Sequence, residues 1–272
     1  MLLILILSTD ALNAENTDAL NKLFTISGNN IVFIYPDMKT VLIGRFDKRR
    51  MIAAKPSKIL AERCNKGIKE IKVAKPKEDA PILTYSRPNR LRIGDQPRVM
   101  DPFTKKNIYI GNGTKDDGVF AKRDMQKGDL VMYYSGLFWN ETEQSLFTMD
   151  AYKNQTWDEY WAIFRNLISF DGPLKIHIPE PYWNISNFRA TLGHKVNHSF
   201  KSDKTVYGKA YHPRFGNVRS VYAKEYITKG EEIYIDYKYG IGRLVPEWVS
   251  DLYRKEMGKK WYGSKSKWLS KF

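Results

Sequence analysis

Three stretches of the chain gather side chains that could do chemistry: DDGVFAKRDMQKGDLVMYYSG at residues 116–136, GHKVNHSF at 193–200 and AKEYITKGEEIYIDYKYG at 223–240. Between them they bring phenols, amides, carboxylates and an imidazole, set in strand-like runs broken by glycine turns. Taken singly each is ordinary, because glycine turns between strands are common and tyrosine is a good strand residue. Other chemistries are easier to set aside. The sequence has no GxxxxGK[ST] phosphate loop, no GxGxxG after a strand and no HExxH. Cys64 is the only cysteine, which rules out an intramolecular disulfide and a thiolate zinc cluster. The four histidines, His177, His194, His198 and His212, are poorly spaced for a metal site, and no metal is expected.

The elements that must position these segments are mostly short strands. IVFIYPDMKTVLIGRF, at 31–46, alternates and breaks at Pro36-Asp37, which predicts a hairpin of two short strands. Residues 47–105 carry the KRR run and prolines at 56, 76, 81, 88, 97 and 102, and read as a basic linker holding one strand, IKEIKVA. A boundary is placed near residue 105. NIYIGNG predicts a strand ending in a glycine turn, and the stretch 118–138 predicts two strands joined through Lys127-Gly128. Residues 140–165 lack strict alternation and read as an insert with a helix around Asp158–Phe164. LISF, LKIHI and two strands around Lys229-Gly230 follow, and after Pro246 the run EWVSDLYRKEM has helical spacing, with Trp248, Leu252 and Met257 on one face.

At 272 residues, 42% of them hydrophobic and 14% aromatic, the chain can bury a proper core. Lys and Arg number 45 against 30 Asp and Glu, a net charge of +15 that predicts attraction to polyanions such as nucleic acid or chromatin. The opening MLLILIL is too short to span a bilayer and lacks the flanks of a signal peptide; it reads as a buried strand, with no membrane association expected.

In order, spacing and combination, the three segments closely resemble the SET domain of protein lysine methyltransferases. IHIPEPY (176–182), LGHKVNHSF, HPRFG (212–216) and PEW (246–248) resemble one branch, the histone H3 lysine monomethyltransferase with N-terminal MORN repeats. The likeness covers about residues 100–255, and residues 31–46 look like a last MORN-type hairpin. It implies a mainly β fold: small sheets around a knot-like core at 106–241, an N-terminal region at 1–105 and a C-terminal helical segment at 242–272 that closes the site. It implies S-adenosylmethionine as cofactor, a histone H3 tail or another basic nuclear protein as substrate, a monomer, and location in the nucleus and also the cytoplasm; the charge of +15 adds nucleosomal DNA as a further expected partner.

The resemblance assigns Tyr134, Tyr207, Tyr237 and Tyr239 to the lysine channel, with Tyr237 beside the methyl transfer. On the cofactor side it places Asp117, Gly118, Asn166, Lys195, Asn197, His198 and Trp248, the last stacking on adenine. Trp161 and Asp158 fall at the peptide groove, and Leu167 and Lys238 at the channel. The sequence also departs from the family: KSDKT replaces the usual Pro-Asn after Asn-His-Ser, Lys238 stands where glycine is expected, Leu167 occupies a polar position, and Leu252 replaces an acidic residue near the cofactor. These departures and the positive charge keep a second expectation open, a catalytically weak or inactive SET module that binds chromatin or nucleic acid.

Overall fold

A computed structural model of the chain describes residues 3–8, 22–25, 31–37, 39–47, 50–65, 68–85, 93–114, 116–140, 166–239 and 245–261. The first third forms six strands, β1 (Leu3–Ser8), β2 (Lys22–Thr25), β3 (Ile31–Ile34), β4 (Thr40–Asp47), β5 (Arg50–Asn65) and β6 (Ile68–Val73). They make one antiparallel sheet in the order β1-β6-β5-β4-β3-β2. The expected hairpin is β3–β4, in register from Ile31 opposite Gly44 to Ile34 opposite Val41. Asp37 builds its turn, its carboxylate accepting from the Lys39 and Thr40 N–H groups (3.0 and 2.8 Å) and from the Thr40 hydroxyl (2.7 Å). Alternation then splits the hairpin. Val32, Ile34 and Val41 join Ile71 and Val73 in one cluster, while Phe33, Tyr35 and Leu42 face the rest of the molecule.

The linker expected from residue 47 needs correction: residues 50–65 form β5, paired to β4 along its first half and to β6 along its second. Pro56 is tolerated because, where it sits opposite Leu42, β5 has only β4 beside it, so its missing N–H leaves no ladder bond unmade. The predicted strand in IKEIKVA is β6.

Helix α1 (Pro102–Asn107) follows, with the Asp101 side chain accepting from Thr104 N–H at its start and proline in its first turn. Beyond it lie β7 (Ile108–Asn112), β8 (Asp117–Ala121), β9 (Leu130–Tyr134), β10 (Leu137–Asn140), β11 (Leu167–Asp171), β12 (Leu174–His177), β13 (Asn197–His198), β14 (Thr205–His212), β15 (Gly216–Ala223) and β16 (Tyr234–Ile235). They make three small sheets: β7-β8, β10-β12-β11, and β13-β16-β14-β15-β9. The strands on either side of Lys127-Gly128 exist, but β8 pairs with β7 and β9 with β15, so that turn hands the chain from one sheet to another. The turn at Lys229-Gly230 instead joins β15 to β16 within the five-stranded sheet, where β14 lies between them. Both glycines sit at positive φ (89° and 85°). The C-terminal helix α2 (Glu247–Met257) ends at Gly258 with φ 63°. Its buried residue is Val249, whereas Trp248 and Met257 are 41% and 40% exposed, so the expected packing face is rotated.

One core cluster joins the two regions. Phe33, Tyr35, Leu42 and Met51 of the first sheet pack with Phe103, Tyr133, Tyr134, Ile176, Phe188 and Phe215. Each such side chain contributes about 1.5–3 kcal/mol through apolar burial. At its centre lies an ionised, fully buried carboxylate, Asp101. Tyr35 OH donates to its Oδ2 at 2.5 Å, His212 Nε2 lies 3.1 Å from the same oxygen, and Thr104 N–H donates to Oδ1 at 2.9 Å. Because His212 Nδ1 accepts the Arg214 N–H (3.1 Å), its proton is on Nε2, where it donates to Asp101. Burial alone would raise the Asp101 pKa, but the bonds from His212, Tyr35 and Thr104 hold it below the ordinary carboxylate range. Arg214, itself buried, donates to the Val99 and Gln96 carbonyls (2.6 and 2.9 Å) and supplies the balancing cation.

Removing the phenol oxygen alone, Tyr35→Phe, leaves Asp101 one donor short and is expected to cost about 2 kcal/mol in denaturant unfolding; an unchanged midpoint would mean that this bond adds nothing. Burial also keeps two histidines neutral: His212 is lowered despite Asp101, and His194, buried beside the Lys195 charge, is pushed down to about 3. Unfolded histidine takes up protons near its ordinary 6.5, so the unfolded state binds more protons below that pH. Stability is therefore full above pH 6.5 and falls as pH drops, by up to about 1.4 kcal/mol per pH unit for each histidine, with Asp101 adding to the loss below its ordinary carboxylate pKa. A melting temperature that stayed flat from pH 7 to pH 5 would contradict this.

Candidate active site

The dipeptide Asn197-His198 is strand β13, and it lies parallel to β16 with Asn197 opposite Tyr234 and His198 opposite Ile235. Thr205 at the start of β14 pairs with Ile235 and its hydroxyl donates to the Tyr234 carbonyl (2.8 Å), so three distant segments meet within a few residues. Tyr134 ends β9, Tyr207 is on β14, and Tyr237 and Tyr239 leave β16. The KSDKT departure falls in the turn before β14, which leaves Tyr207 in the strand register.

These side chains converge. The His198 ring lies 5.0 Å from Tyr237 at 27°, 5.3 Å from Tyr239 and 6.3 Å from Trp248, while Tyr237 and Tyr239 are 5.9 Å apart and Tyr239 and Trp248 6.0 Å. Tyr134 and Tyr207 sit near enough to Tyr237 for each phenol to oppose ionisation of the other. Burial raises the pKa of all four phenols, so they stay protonated and the cluster is uncharged. Two of the hydroxyl protons are committed to backbone carbonyls, Tyr134 to Asn166 (2.7 Å) and Tyr237 to Val196 (2.5 Å). Each of those two oxygens retains only its accepting capacity, which suits it to an amine N–H. Arg219, across the β14–β15 pair, is a cation close enough to oppose part of the pKa rise at Tyr207.

A second, polar cluster adjoins the first through Asn197. Its Nδ2 donates to Glu232 Oε1 (2.9 Å), and Lys195 Nζ pairs with Asp117 (3.1 Å). Gly118 is required here by close approach: a Cβ built on it would lie 2.5 Å from Glu232 Oε1 and 2.9 Å from the Gly113 Cα. Asn166 opens β11; with its amide oriented so that Oδ1 accepts from Trp183 Nε1 (3.0 Å) and Nδ2 donates to the His194 carbonyl (3.3 Å), it is tied to the tyrosine side rather than to Asn197. Leu167 is half-buried beside it on β11. Lys238 is exposed, with φ 61° and its ammonium on Asp236 (2.9 Å), a backbone conformation that favours glycine. Trp161 and Asp158 lie outside the described residues. Among the described residues no three His, Cys, Asp or Glu side chains converge as a metal site would need, and no helix is long and apolar enough to cross a membrane.

Two acidic residues at this site escaped the sequence reading. Glu232 lies in the 223–240 segment that the sequence reading singles out, but no role is given to it there. Glu256, on α2, accepts from the Ser199 hydroxyl (3.0 Å) and from the Phe200 and Lys201 N–H groups (2.8 and 3.2 Å). It stands one helical turn beyond Leu252, where the resemblance expects an acid, so the signal was a carboxylate displaced by four residues.

Residues 116–238, which carry most of both clusters but not Tyr239 or Trp248, match the family model of the SET domain. The mainly β architecture with its C-terminal helix is that of a SET domain. Over 221 residues the chain is 31% identical to a protein of Halocynthia roretzi described as histone-lysine N-methyltransferase SETD7, an alignment covering 79% of this chain and 53% of that protein. The chain thus spans about half the length of that relative.

Because Glu256 gathers three donors from the turn after His198, Glu256→Ala should release α2 from the site. Hydrogen exchange in residues 247–257 should quicken while the strands of the five-stranded sheet keep their protection. Equal exchange in both proteins would show that Val249 packing and the ring contacts of Trp248 and Tyr253 hold α2 without it.

Proposed function

We propose that this chain transfers a methyl group from S-adenosylmethionine to a lysine of a protein, adding one methyl to histone H3 or to another basic nuclear protein in the nucleus. The observation that carries the reading is the convergence of Tyr134, Tyr207, Tyr237 and Tyr239 around Asn197-His198. The SET match and the name of the relative support the reaction class.

The residues present fit the cofactor. Its zwitterionic end needs an acceptor and a cation: Asn197 has its Nδ2 spent on Glu232, which turns Oδ1 into the available acceptor, and Lys195 supplies the cation. Trp248, 41% exposed, offers an indole face to adenine. When bound, the cofactor supplies an electrophilic methyl on a sulfonium. The chain's part is to present a neutral amine in line with it. Four protonated phenols desolvate the lysine stem without adding charge, and desolvation beside a cation lowers the lysine pKa toward the free base. The Tyr134 and Tyr237 oxygens, their protons held by backbone carbonyls, accept from the amine and fix its lone pair. No general base is required.

The alternative reading, a SET module that binds chromatin or nucleic acid with little or no turnover, is favoured by the net charge of +15. Calorimetry with S-adenosylmethionine followed by a labelled-methyl assay on core histones and nucleosomes separates the two. The enzyme reading expects micromolar binding and label on a histone lysine, with Tyr237→Phe lowering turnover about 10²-fold at unchanged cofactor affinity. No cofactor binding, with nucleic-acid affinity falling steeply in salt, would overturn it. Unaltered turnover in Tyr237→Phe would remove the role given to that phenol.

A further inference from the structure

Glu232 is the most heavily engaged carboxylate beside the proposed cofactor pocket, and nothing said so far gives it a task. It enters between two glycines: Oε1 would lie 2.6 Å from a Cβ on Gly113 and 2.5 Å from one on Gly118, so only a backbone without side chains admits it there. Its two oxygens are used unequally. Oε2 accepts from Thr114 N–H (3.2 Å), the Thr114 hydroxyl (2.9 Å) and Tyr234 OH (2.6 Å), and those two hydroxyls also touch each other. Oε1 accepts from one side-chain donor, Asn197 Nδ2. The carboxylate therefore ties the turn between β7 and β8 to β13. Burial opposes its ionisation, but the bonds from Tyr234, Asn197 and Thr114 outweigh that and keep it charged.

An asparagine amide has two nearly isosteric faces, and only its surroundings decide which one meets a ligand. Here the decision rests on Glu232, since no donor among the described residues reaches Asn197 Oδ1. We propose that Glu232 is a positioning residue that sets the amide orientation of Asn197, so that the pocket presents an acceptor and selects a ligand carrying an ammonium next to its carboxylate. This rests on the reading of the Asn197 pocket as the site of the cofactor's amino-acid end.

The orientation argument makes an isosteric change more damaging than a truncation. In Glu232→Gln the side-chain oxygen must face Thr114 and Tyr234, because three donors point there. Its NH2 then faces Asn197, which turns its own oxygen to meet it and offers Nδ2 to the ligand. In Glu232→Ala the Asn197 amide is free to adopt either orientation.

The test uses the full chain and measures binding of S-adenosylhomocysteine and of its analogue lacking only the α-amino group, with melting temperatures of the unliganded proteins as the control for folding. Glu232→Gln is expected to lose at least tenfold in affinity for S-adenosylhomocysteine, at least as much as Glu232→Ala, while binding the desamino analogue as the parent protein does. Full affinity in Glu232→Gln would overturn the inference and leave the cofactor reading intact. An equal loss for both ligands would reduce Glu232 to a structural tie and overturn it too. If the unmutated chain bound neither ligand, the cofactor reading itself would fail and take this inference with it.

Discussion

A charge cannot be buried in a protein core unless its surroundings solvate it in place of water, and Asp101 sets that demand for this chain. It is met from three directions. Tyr35 comes from the hairpin of the first sheet, His212 from the end of β14, and Thr104 from the helix that Asp101 itself caps. Arg214 adds the countercharge and takes hold of the backbone at Gln96 and Val99. Each partner is therefore fixed relative to the others. Apolar packing around Phe33, Leu42 and Phe103 would tolerate small slips, whereas a converging set of charge-assisted bonds would not.

That rigidity reaches the candidate active site by short routes. His212 ends the strand that carries Tyr207, and Tyr133, stacked edge-on to the His212 ring at 4.9 Å, immediately precedes Tyr134. So the network that anchors the first sheet also sets the two tyrosines contributed by the five-stranded sheet. The other two depend on the parallel pairing of β13 with β16, a contact between segments 37 residues apart along the chain. Asn197 and His198 are adjacent in sequence but face different work: one belongs to the polar cluster with Glu232, the other to the aromatic cluster with Tyr237.

Much of this was legible in the sequence where the determinants are local. The Pro36-Asp37 turn, the glycines at 128 and 230, and the helix that ends before Gly258 are specified by residues a few positions apart, and all are found. Motif likeness singled out the four tyrosines and Asn197-His198, though not that the dipeptide is a strand. What the sequence hid was set by partners far away. β5 reads as linker because its proline and lysines are judged against an isolated strand, and only the neighbour on one side makes Pro56 acceptable. HPRFG was visible as a motif, yet the role of His212 depends on Asp101, 111 residues earlier. Glu232 was hidden for the same reason, since its bonds to Thr114 and Asn197 cross 118 and 35 positions.

The positions where the sequence departs from the SET pattern it resembles can be weighed by whether the structure compensates them. Lys238 keeps the left-handed backbone that a glycine would adopt without strain, and its ammonium is drawn onto Asp236 at the surface, away from the neutral phenols. A free cation among them would have opposed binding of a second one. Leu252 leaves the helix without its expected acid, but Glu256 restores a carboxylate that grips the turn after His198. In both cases the charge has been moved, by one side chain's reach or by one helical turn, while the uncharged character of the tyrosine cluster is kept. For a protein with a net charge of +15, that neutrality is the property that the proposed lysine channel would most need to protect.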